Sequence, residues 1–433
     1  MRRRAPGGTP WHVAVVVENV AVGVDTRLRK QVEDLLAAGF EVTVVTMRHD
    51  DNAPFRGRPR LTLLEHPPPP PGRGALGYAV EYGTAFLFAA VALTRLRLRR
   101  RIDVLQLCQP PDVYFPLAWP LRWLGARVVV DQRDLMPETL LSRQPDAPPV
   151  LVRLLRVLER ESQRVAHRTV TVNEYLRDRL APLASGTVVS VARNGPVLAR
   201  VDRAAPLPGL GADGRRLVVW IGKIGPQDRV DLVVRLADEI VHRRGRTDCR
   251  FVVLGDGEGL EAVQRMAAEA GLDGHVSFTG WVPEETVFGH LAIADLGVDT
   301  SLQEEVSPVK AMEYMAFGLP FACFDLEETR RLADGAAVLV APGDLDALAT
   351  SVLRLLDDPA LREELGRAGR GRVERELSWE RQSSAYLAAV SPDADRHGAP
   401  CGQPRFGSHG GRSRTQPASS QGRSSRASST RST

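Results

Sequence analysis

The stretch that decides the fold, residues 217–241, reads LVVWIGKIGPQDRVDLVVRLADEIV. It opens with a short apolar run at 217–221, which is typical of a buried strand. A loop with two glycines follows, and apolar residues from Val230 to Val241 then recur at helical spacing. The stretch therefore predicts a strand, a loop and an amphipathic helix, the repeating unit of a parallel sheet.

The same alternation extends over most of the chain and predicts an α/β protein with two Rossmann-like domains. The predicted strands are 12–17, 41–47, 103–107, 127–130, 169–172 and 187–191 in the first half, and 217–221, 251–254, 275–278, 295–298, 320–324 and 337–340 in the second. Two halves of similar construction are consistent with 433 residues, a length at which a single core rarely keeps growing.

Composition shifts along the chain set the predicted boundaries. The segments are a first domain at 1–198, a Pro- and Gly-containing linker at 199–215, a second domain at 216–375, a helix at 376–390 that returns to the first domain, and a disordered basic tail at 391–433. The tail has almost no aliphatic side chains, so it cannot bury enough surface to offset its ordering entropy. A polyproline spacer is expected at 67–71.

Charge and cysteine usage narrow the function classes. The net charge is +4, but the tail holds seven Arg against two Asp, which leaves the remaining residues close to neutral. No nucleic-acid partner is therefore predicted. The four cysteines lie far apart without a CxxC pair, which argues against a disulfide framework and a zinc site.

Neither a secretory signal nor a membrane span is predicted. The longest apolar run, 85–93, is about half of the ~20 residues that cross a bilayer. We expect a cytoplasmic protein. Residues 82–101 combine an apolar half with five arginines, a pattern that favours peripheral contact with anionic lipid at the inner face of the membrane, although a buried helix with a charged end explains it equally well.

Ligands of parallel α/β sheets bind beyond the carboxyl ends of the strands, so loops after strands supply the candidate residues. Gly23 precedes a predicted helix whose free N–H groups suit a phosphate, unless it serves only the turn. Lys223 lies in the loop after strand 217–221, where it suits a diphosphate or is an ordinary solvated lysine. Gly255, Gly257 and Gly259 do not form the GxGxxG pattern of a nicotinamide dehydrogenase.

The segment 305–320, EVSPVKAMEYMAFGLP, is the most informative about function. Ser307 is a predicted N-cap with Pro308 at the first helical position. Lys310 then lies near a helix N-terminus, which suits a diphosphate, and Glu313 can accept hydrogen bonds from ribose hydroxyls. Alternatively, Lys310 and Glu313 form a plain surface pair on one helix face.

This segment resembles the Glu-seven-Glu motif of family 4 retaining glycosyltransferases, which have the GT-B fold. Further similarity lies in DTRLRKQVEDLLAAGFEVTVVT, QPPDVYFPLAWPLRWLGARVVVDQRDLMPE, RNGP, GPQDRVD and LGDGEGLEAVQRMAAEAGLDGHVSFTGWVP. The chain is most similar to bacterial enzymes of exopolysaccharide and O-antigen synthesis. The resemblance implies two Rossmann-like domains facing each other across a cleft, with the acceptor bound by the first and a nucleotide sugar, expected to be a UDP-sugar, by the second.

Residue roles follow from the resemblance alone. It implies that Glu313 binds the donor ribose, that Glu305 contacts the donor sugar or its phosphate, and that Lys223 and Lys310 neutralise the diphosphate. Val282 would meet the base through its backbone. The expected reaction retains configuration and needs no metal or other cofactor, and the acceptor is a glycan or a lipid-linked glycan. Asp112 and Asp134 are acceptor-side catalytic candidates, or simply loop and cap residues.

The chain departs from the family pattern in three segments. Gln132 and Arg133 stand before Asp134 where related enzymes carry histidine, Arg229 replaces a usual glycine, and Glu304 competes with Glu305. Two alternatives therefore stay open: a nucleotide-sugar epimerase with the same fold, which needs no acceptor, and a catalytically degenerate nucleotide-sugar-binding protein.

Overall fold

The computed structural model describes residues 10–18, 20–68, 74–184, 186–207, 211, 213–303 and 307–391. These residues form two parallel sheets, each covered by helices on both faces. The predicted tail and the prolines at 69–71 lie outside the described residues. The expected α/β architecture with two Rossmann-like domains is confirmed.

The first domain is built on a sheet of order β3-β2-β1-β4-β5-β6-β7. Its strands are β1 (His12–Val16), β2 (Glu41–Met47), β3 (Leu61–His66), β4 (Val104–Gln109), β5 (Arg127–Gln132), β6 (Arg168–Thr171) and β7 (Val188–Val191). Its helices are α1 (Thr26–Ala37), α2 (Gly74–Arg99), α3 (Phe115–Trp123), α4 (Met136–Arg143), α5 (Pro149–Val165) and α6 (Glu174–Leu180), with a 3₁₀ turn at Asp50–Phe55. A short helix α7 (Leu198–Val201) leads out of the domain.

The second domain is built on a sheet of order β10-β9-β8-β11-β12-β13. Its strands are β8 (Arg216–Ile221), β9 (Cys249–Leu254), β10 (Val276–Phe278), β11 (Leu296–Asp299), β12 (Phe321–Phe324) and β13 (Ala337–Val340). Its helices are α8 (Val230–Asp238), α9 (Leu260–Glu269), α10 (Glu284–Leu291), α11 (Val309–Ala316), α12 (Glu327–Ala333), α13 (Leu345–Asp357) and α14 (Pro359–Arg372), with a 3₁₀ turn at Pro226–Asp228 and π turns at Glu239–Arg243 and Val373–Leu377.

Each of the twelve predicted strands corresponds to an observed one, with ends that differ by up to two residues. Strand β3, which pairs only with β2 at the edge of the first sheet, was not predicted. Its central residues are only half-buried, so it lacks the fully apolar run that marks a central strand. A half-buried strand at the edge of a sheet is therefore difficult to recognise from sequence.

Helix α8 starts at Val230, as the helical spacing predicted. It follows a 3₁₀ turn at Pro226–Asp228 and Arg229, which has a left-handed φ of 48°. That backbone conformation favours glycine, which explains why glycine is usual at this position in the resembled family. In α11 the residue before the helix is Pro308, and Ser307 does not cap it.

The chain ends by returning to the first domain through helix α15 (Trp379–Val390). Tyr386 and Val390 are fully buried in the core between α1 and the first sheet, and the Tyr386 hydroxyl donates to Gln106 Oε1 at 2.7 Å. At the crossing point Trp379 N donates to Pro196 O at 2.8 Å. The two domains are therefore joined by two chain crossings that touch each other.

Candidate active site

A cleft of about 360 Å³ lies beyond the carboxyl ends of β8 and β9, next to the start of α11. Four predicted donor-site residues line it: Lys223, Val282, Lys310 and Glu313. They come from three separate loop or helix segments of the second domain. The structure therefore brings together side chains that are up to 90 residues apart in sequence.

Close packing of two glycine-containing loops forms one wall of the cleft. A Cβ on Gly255 would lie 1.8 Å from the carbonyl oxygen of Gly222, and one on Gly257 would lie 2.4 Å from that of Ile224. Ile224 N donates to Asp256 O at 2.9 Å, and Gly259 N donates to Ile224 O at 3.1 Å. The glycines at 255–259 thus hold the loop that carries Lys223, because only glycine permits this approach.

Lys310 is the cation at the floor of the cleft. Its Nζ donates to Asp228 Oδ1 at 3.2 Å and to Asp299 Oδ1 at 3.3 Å, and it lies 4.8 Å from the centre of the Trp220 ring. Burial disfavours its charged form, but Asp299 and Asp228 outweigh burial and raise the pKa of Lys310. The lysine is therefore held as a fixed positive charge.

The other three lining residues differ in exposure. The Lys223 side chain is exposed, whereas Val282 and Glu313 are half-buried. Next to Val282, Trp281 is 74% exposed and offers an aromatic surface at the cleft mouth. An exposed cation, a fixed cation and an aromatic ring around one cleft suit an anionic ligand with a planar part.

Glu313 faces the opposite domain. Burial raises the pKa of Glu313 to about 7, with Lys30 lowering it and Glu284 raising it. Burial has the opposite effect on a lysine and lowers the pKa of Lys30 to about 7. Lys30, on α1 of the first domain, donates to Asn194 Oδ1 at 2.5 Å and to Gly195 O at 2.8 Å. A carboxylate of the second domain is thus electrostatically coupled to a lysine at the domain crossing.

Two protein-family models match this chain. Residues 22–195 match the glycosyl transferase 4-like domain, and residues 215–358 match glycosyl transferases group 1. Together the two matches span both domains. The chain belongs to the GT-B glycosyltransferases.

Individual relatives show how far the similarity extends. Over 36% of the chain it is 33% identical to alpha-D-kanosaminyltransferase of Streptomyces kanamyceticus, and over 51% it is 31% identical to a GDP-mannose-dependent phosphatidylinositol monomannoside mannosyltransferase of Mycolicibacterium smegmatis. These matches span 40% and 60% of the two relatives. A 2-deoxystreptamine glucosyltransferase of S. kanamyceticus is 28% identical over 76% of the chain and 86% of its own length.

A solved structure shares the fold of this GT-B chain. HepE of Anabaena, in complex with UDP and glucose, superposes with a TM-score of 0.66 over 86% of this chain and 97% of its own, at 12% identity. At that identity the likeness concerns the fold alone.

Gly23 is not among the residues that line the described cleft of this GT-B chain. Its N–H donates to Asn52 Oδ1 at 3.4 Å, and a Cβ would lie 2.0 Å from the carbonyl oxygen of Asp51. Close contact with the Asp50–Phe55 turn therefore accounts for a glycine here.

The two acceptor-side candidates lie on the first domain in different environments. Asp112 is fully buried and accepts from Gln132 Nε2 at 3.4 Å, while Asp134 is exposed. Burial, then the neighbouring Glu159, raises the pKa of Asp112 to about 7. Asp112 is thus a core residue rather than a surface group, whereas Asp134 is open to a ligand.

Gln132, which replaces a histidine of the resembled family, is also buried. Its Nε2 donates to Asp134 O at 2.9 Å, and its Oε1 accepts from Gln163 Nε2 at 2.9 Å. Its neighbour Arg133 pairs with Asp131 and with Asp25, the residue that caps α1. These departures from the family pattern therefore serve the internal framework of the first domain.

Glu305, the remaining catalytic candidate, lies outside the described residues, as does its competitor Glu304. The neighbouring Ser307 lines the cleft, and its buried Oγ has no hydrogen-bond partner among the described residues. Sequence reasoning treated Ser307 only as a cap and did not single out Asp228 or Asp299. The GPQDRVD similarity contained Asp228, but its pairing with Lys310 depends on the tertiary fold.

Proposed function

We propose that this chain transfers a glycosyl unit from a nucleotide sugar, a UDP-sugar, to a glycan or lipid-linked acceptor in cell-surface polysaccharide synthesis. The observation that carries the proposal is the meeting of Lys223, Lys310 and Glu313 in one cleft at the carboxyl ends of parallel strands. The lipid named in the mycobacterial relative supports the acceptor class.

The diphosphate leaving group accounts for the two lysines. In the proposed step the bond between the sugar C1 and the diphosphate oxygen breaks, and C1 bonds to the acceptor oxygen on the same face. The acceptor proton passes to the departing phosphate. Fixed Lys310 and exposed Lys223 stabilise the charge that develops there, so no metal is needed.

The remaining residues orient the reactants. Glu313 accepts hydrogen bonds from the ribose hydroxyls, Val282 contacts the base through its backbone, and Glu305 holds the donor sugar. On the acceptor side, exposed Asp134 contacts the incoming hydroxyl. Asp112 acts as a positioning residue through Gln132, whose Nε2 donates to the Asp112 carboxylate and to the backbone carbonyl of Asp134.

The location proposed for the enzyme is the cytoplasmic side of the cell membrane, in peripheral contact. One described helical segment, Gly77–Arg99, is long and apolar enough to cross a membrane by length and composition. It was not predicted as a span, because the apolar run within it is short. Ala89 and Leu93 of this segment are buried against the first sheet, which favours a position on the domain surface over a span.

The first test is a thermal-shift and turnover screen of the full chain against UDP-, GDP- and ADP-sugars. One donor, expected to be a UDP-sugar, should raise Tm and be slowly hydrolysed, and Glu313→Ala should abolish both effects. Chelation by EDTA should leave turnover unchanged. If no nucleotide sugar shifts Tm, the chain is not a transferase; if a donor sugar is epimerised without acceptor, the epimerase alternative is correct.

A further inference from the structure

The Lys30 side chain of α1 lies where the two chain crossings meet. Its Nζ donates to Asn194 Oδ1 at 2.5 Å and to Gly195 O at 2.8 Å on the first crossing, and it lies 4.9 Å from the centre of the Trp379 ring on the second. A Cβ on Gly195 would lie 1.8 Å from the carbonyl oxygen of Leu377, so the two crossings touch beside this lysine. Lys30 is therefore held by both segments that join the domains.

Helix α1 also meets the second domain beside the donor cleft. Arg29 Nη2 donates to Glu284 Oε2 of α10 at 3.4 Å. Val287, one turn after Glu284 on α10, lines the cleft together with Glu313. The contact between Arg29 and Glu284 thus brings the start of α1 to the side of the cleft that contains Glu313.

Charges from both domains act on the Glu313 carboxyl. Burial raises the pKa of Glu313, Lys30 of α1 lowers it, and Glu284 of α10 raises it further. Burial, then Arg27 and Arg29, lowers the pKa of Lys30, whereas Glu313 and Glu284 raise it. Among these groups Lys30 is the one that favours the ionised carboxylate, because an opposite charge nearby stabilises it. The first domain thus supplies the counter-charge to a donor-site residue of the second.

Lys30 also has hydrogen-bonding capacity to spare. A lysine ammonium group has three N–H donors, and among the described residues Asn194 and Gly195 accept two of them. One N–H is left for the Glu313 carboxylate or for a ligand hydroxyl that the carboxylate binds. Because the other two bonds fix Nζ, this third donor is directed by the crossing segments.

We propose that Lys30 is a positioning residue for the donor, which holds the Glu313 carboxylate across the domain boundary in the orientation and charge state that accept the ribose hydroxyls. The proposal rests on the function proposed above and adds a residue of the first domain to the donor site. A charged acceptor makes the stronger hydrogen bonds. Since Lys30 is itself bonded to the first crossing, donor affinity depends on contact between the domains and not on the second domain alone.

The experiment is a calorimetric titration of the full chain with UDP, GDP and ADP, followed by a double-mutant cycle with the nucleotide that binds. At about pH 7, Lys30→Met should weaken binding about tenfold, because the carboxylate loses its counter-charge. In a Glu313→Gln background the same substitution should weaken binding less than about twofold, because its target is gone. An equal effect of Lys30→Met in both backgrounds would show that Lys30 acts through the fold or on the nucleotide directly, and would overturn the proposal.

The pH profile of nucleotide binding gives a second readout, which a merely structural role would not move. Wild-type binding should weaken as pH falls through the pKa of Glu313, about 7. Loss of the Lys30 charge raises that pKa further, so the midpoint should move to higher pH in Lys30→Met and return in Lys30→Arg. An unmoved midpoint in Lys30→Met would contradict the proposal.

Matched variants separate this role from the packing of α1. Arg29→Met removes the adjacent cation of the same helix and should bind the nucleotide within about twofold of the wild type. Lys30→Gln keeps a donor for the crossing without the charge, and replaces Lys30→Met in the cycle if circular dichroism shows that the latter unfolds. If the wild type binds none of the three nucleotides, the proposed function fails and this proposal with it. If Lys30→Met binds as tightly as the wild type, only the positioning role fails.

Discussion

At the residue scale, the two cleft lysines have different duties although both carry one charge. Lys310 lies between Asp228 and Asp299 with its side chain 10% exposed, whereas Lys223 is exposed on a loop. Lys310→Met leaves two carboxylates without their cation and should lower the free energy of unfolding by about 3 kcal/mol. Lys223→Met should leave it unchanged and lower kcat about 100-fold.

Urea denaturation and initial-rate kinetics on both variants check this pair. Equal stability of Lys310→Met and the wild type would contradict the assigned counter-ion role, and unchanged kcat in Lys223→Met would remove that residue from the leaving-group site.

Glu313 makes a pH-dependent contribution to stability. Its pKa in the folded protein is about 7, above the ordinary 4.5, so the native state binds its proton more tightly than the unfolded state does. The stability that it contributes is therefore lost as pH rises from about 4.5 through about 7. Glu313→Gln should be more stable relative to the wild type at pH 8 than at pH 5, as measured by urea denaturation. Glu261→Gln, at an exposed position on α9, is the control. An equal difference in free energy of unfolding between Glu313→Gln and the wild type at both pH values would contradict the expectation.

At the scale of elements, packing of the loops after β8 and β9 shapes the donor cleft. Gly255→Ala would place a Cβ 1.8 Å from the Gly222 carbonyl oxygen and displace the loop of Lys223. Gly274→Ala is the matched control, because Gly274 also has a positive φ, 82°, but open space around it. We expect a loss of about 1 kcal/mol for the control and a larger loss, with a raised donor KM, for Gly255→Ala. Thermal unfolding and donor kinetics measure both; an unchanged KM would show that the loop contact does not position the site.

The strand and helix pattern was largely accessible from sequence at this scale. Central strands such as 217–221 are continuous apolar runs because both sheet faces are covered, and such runs are easy to recognise. Edge strand β3 was not accessible from sequence, because it is only partly buried. The break before α8 was not accessible either, because it depends on the backbone conformation of Arg229.

At the scale of the whole molecule, a buried ion cluster couples the two domains. Arg193 pairs with Glu174 in the first domain and with Glu328 on α12 of the second, and Glu328 is 1% exposed. Glu328→Ala should cost about 2 kcal/mol, because Arg193 keeps Glu174 as a partner, and should split unfolding into two calorimetric transitions. Arg29→Ala removes the more exposed interdomain pair with Glu284 and should change stability by less than about 0.5 kcal/mol. A single, unshifted transition in Glu328→Ala would show that the cluster does not link the domains.

The sequence by itself determined the α/β class, the order of the two domains and the family, because these depend on local periodicity and on short contiguous motifs. The sequence also predicted Lys223, Val282, Lys310 and Glu313 as donor-site residues. Only the tertiary structure decided that these four share one cleft and that Asp228 and Asp299 hold Lys310. It also decided that Asp112 and Gln132 are internal and that helices α2, α3 and α5 expose apolar side chains beside arginines. Burial and long-range pairing arise from residues that are distant in sequence, and no local pattern encodes them.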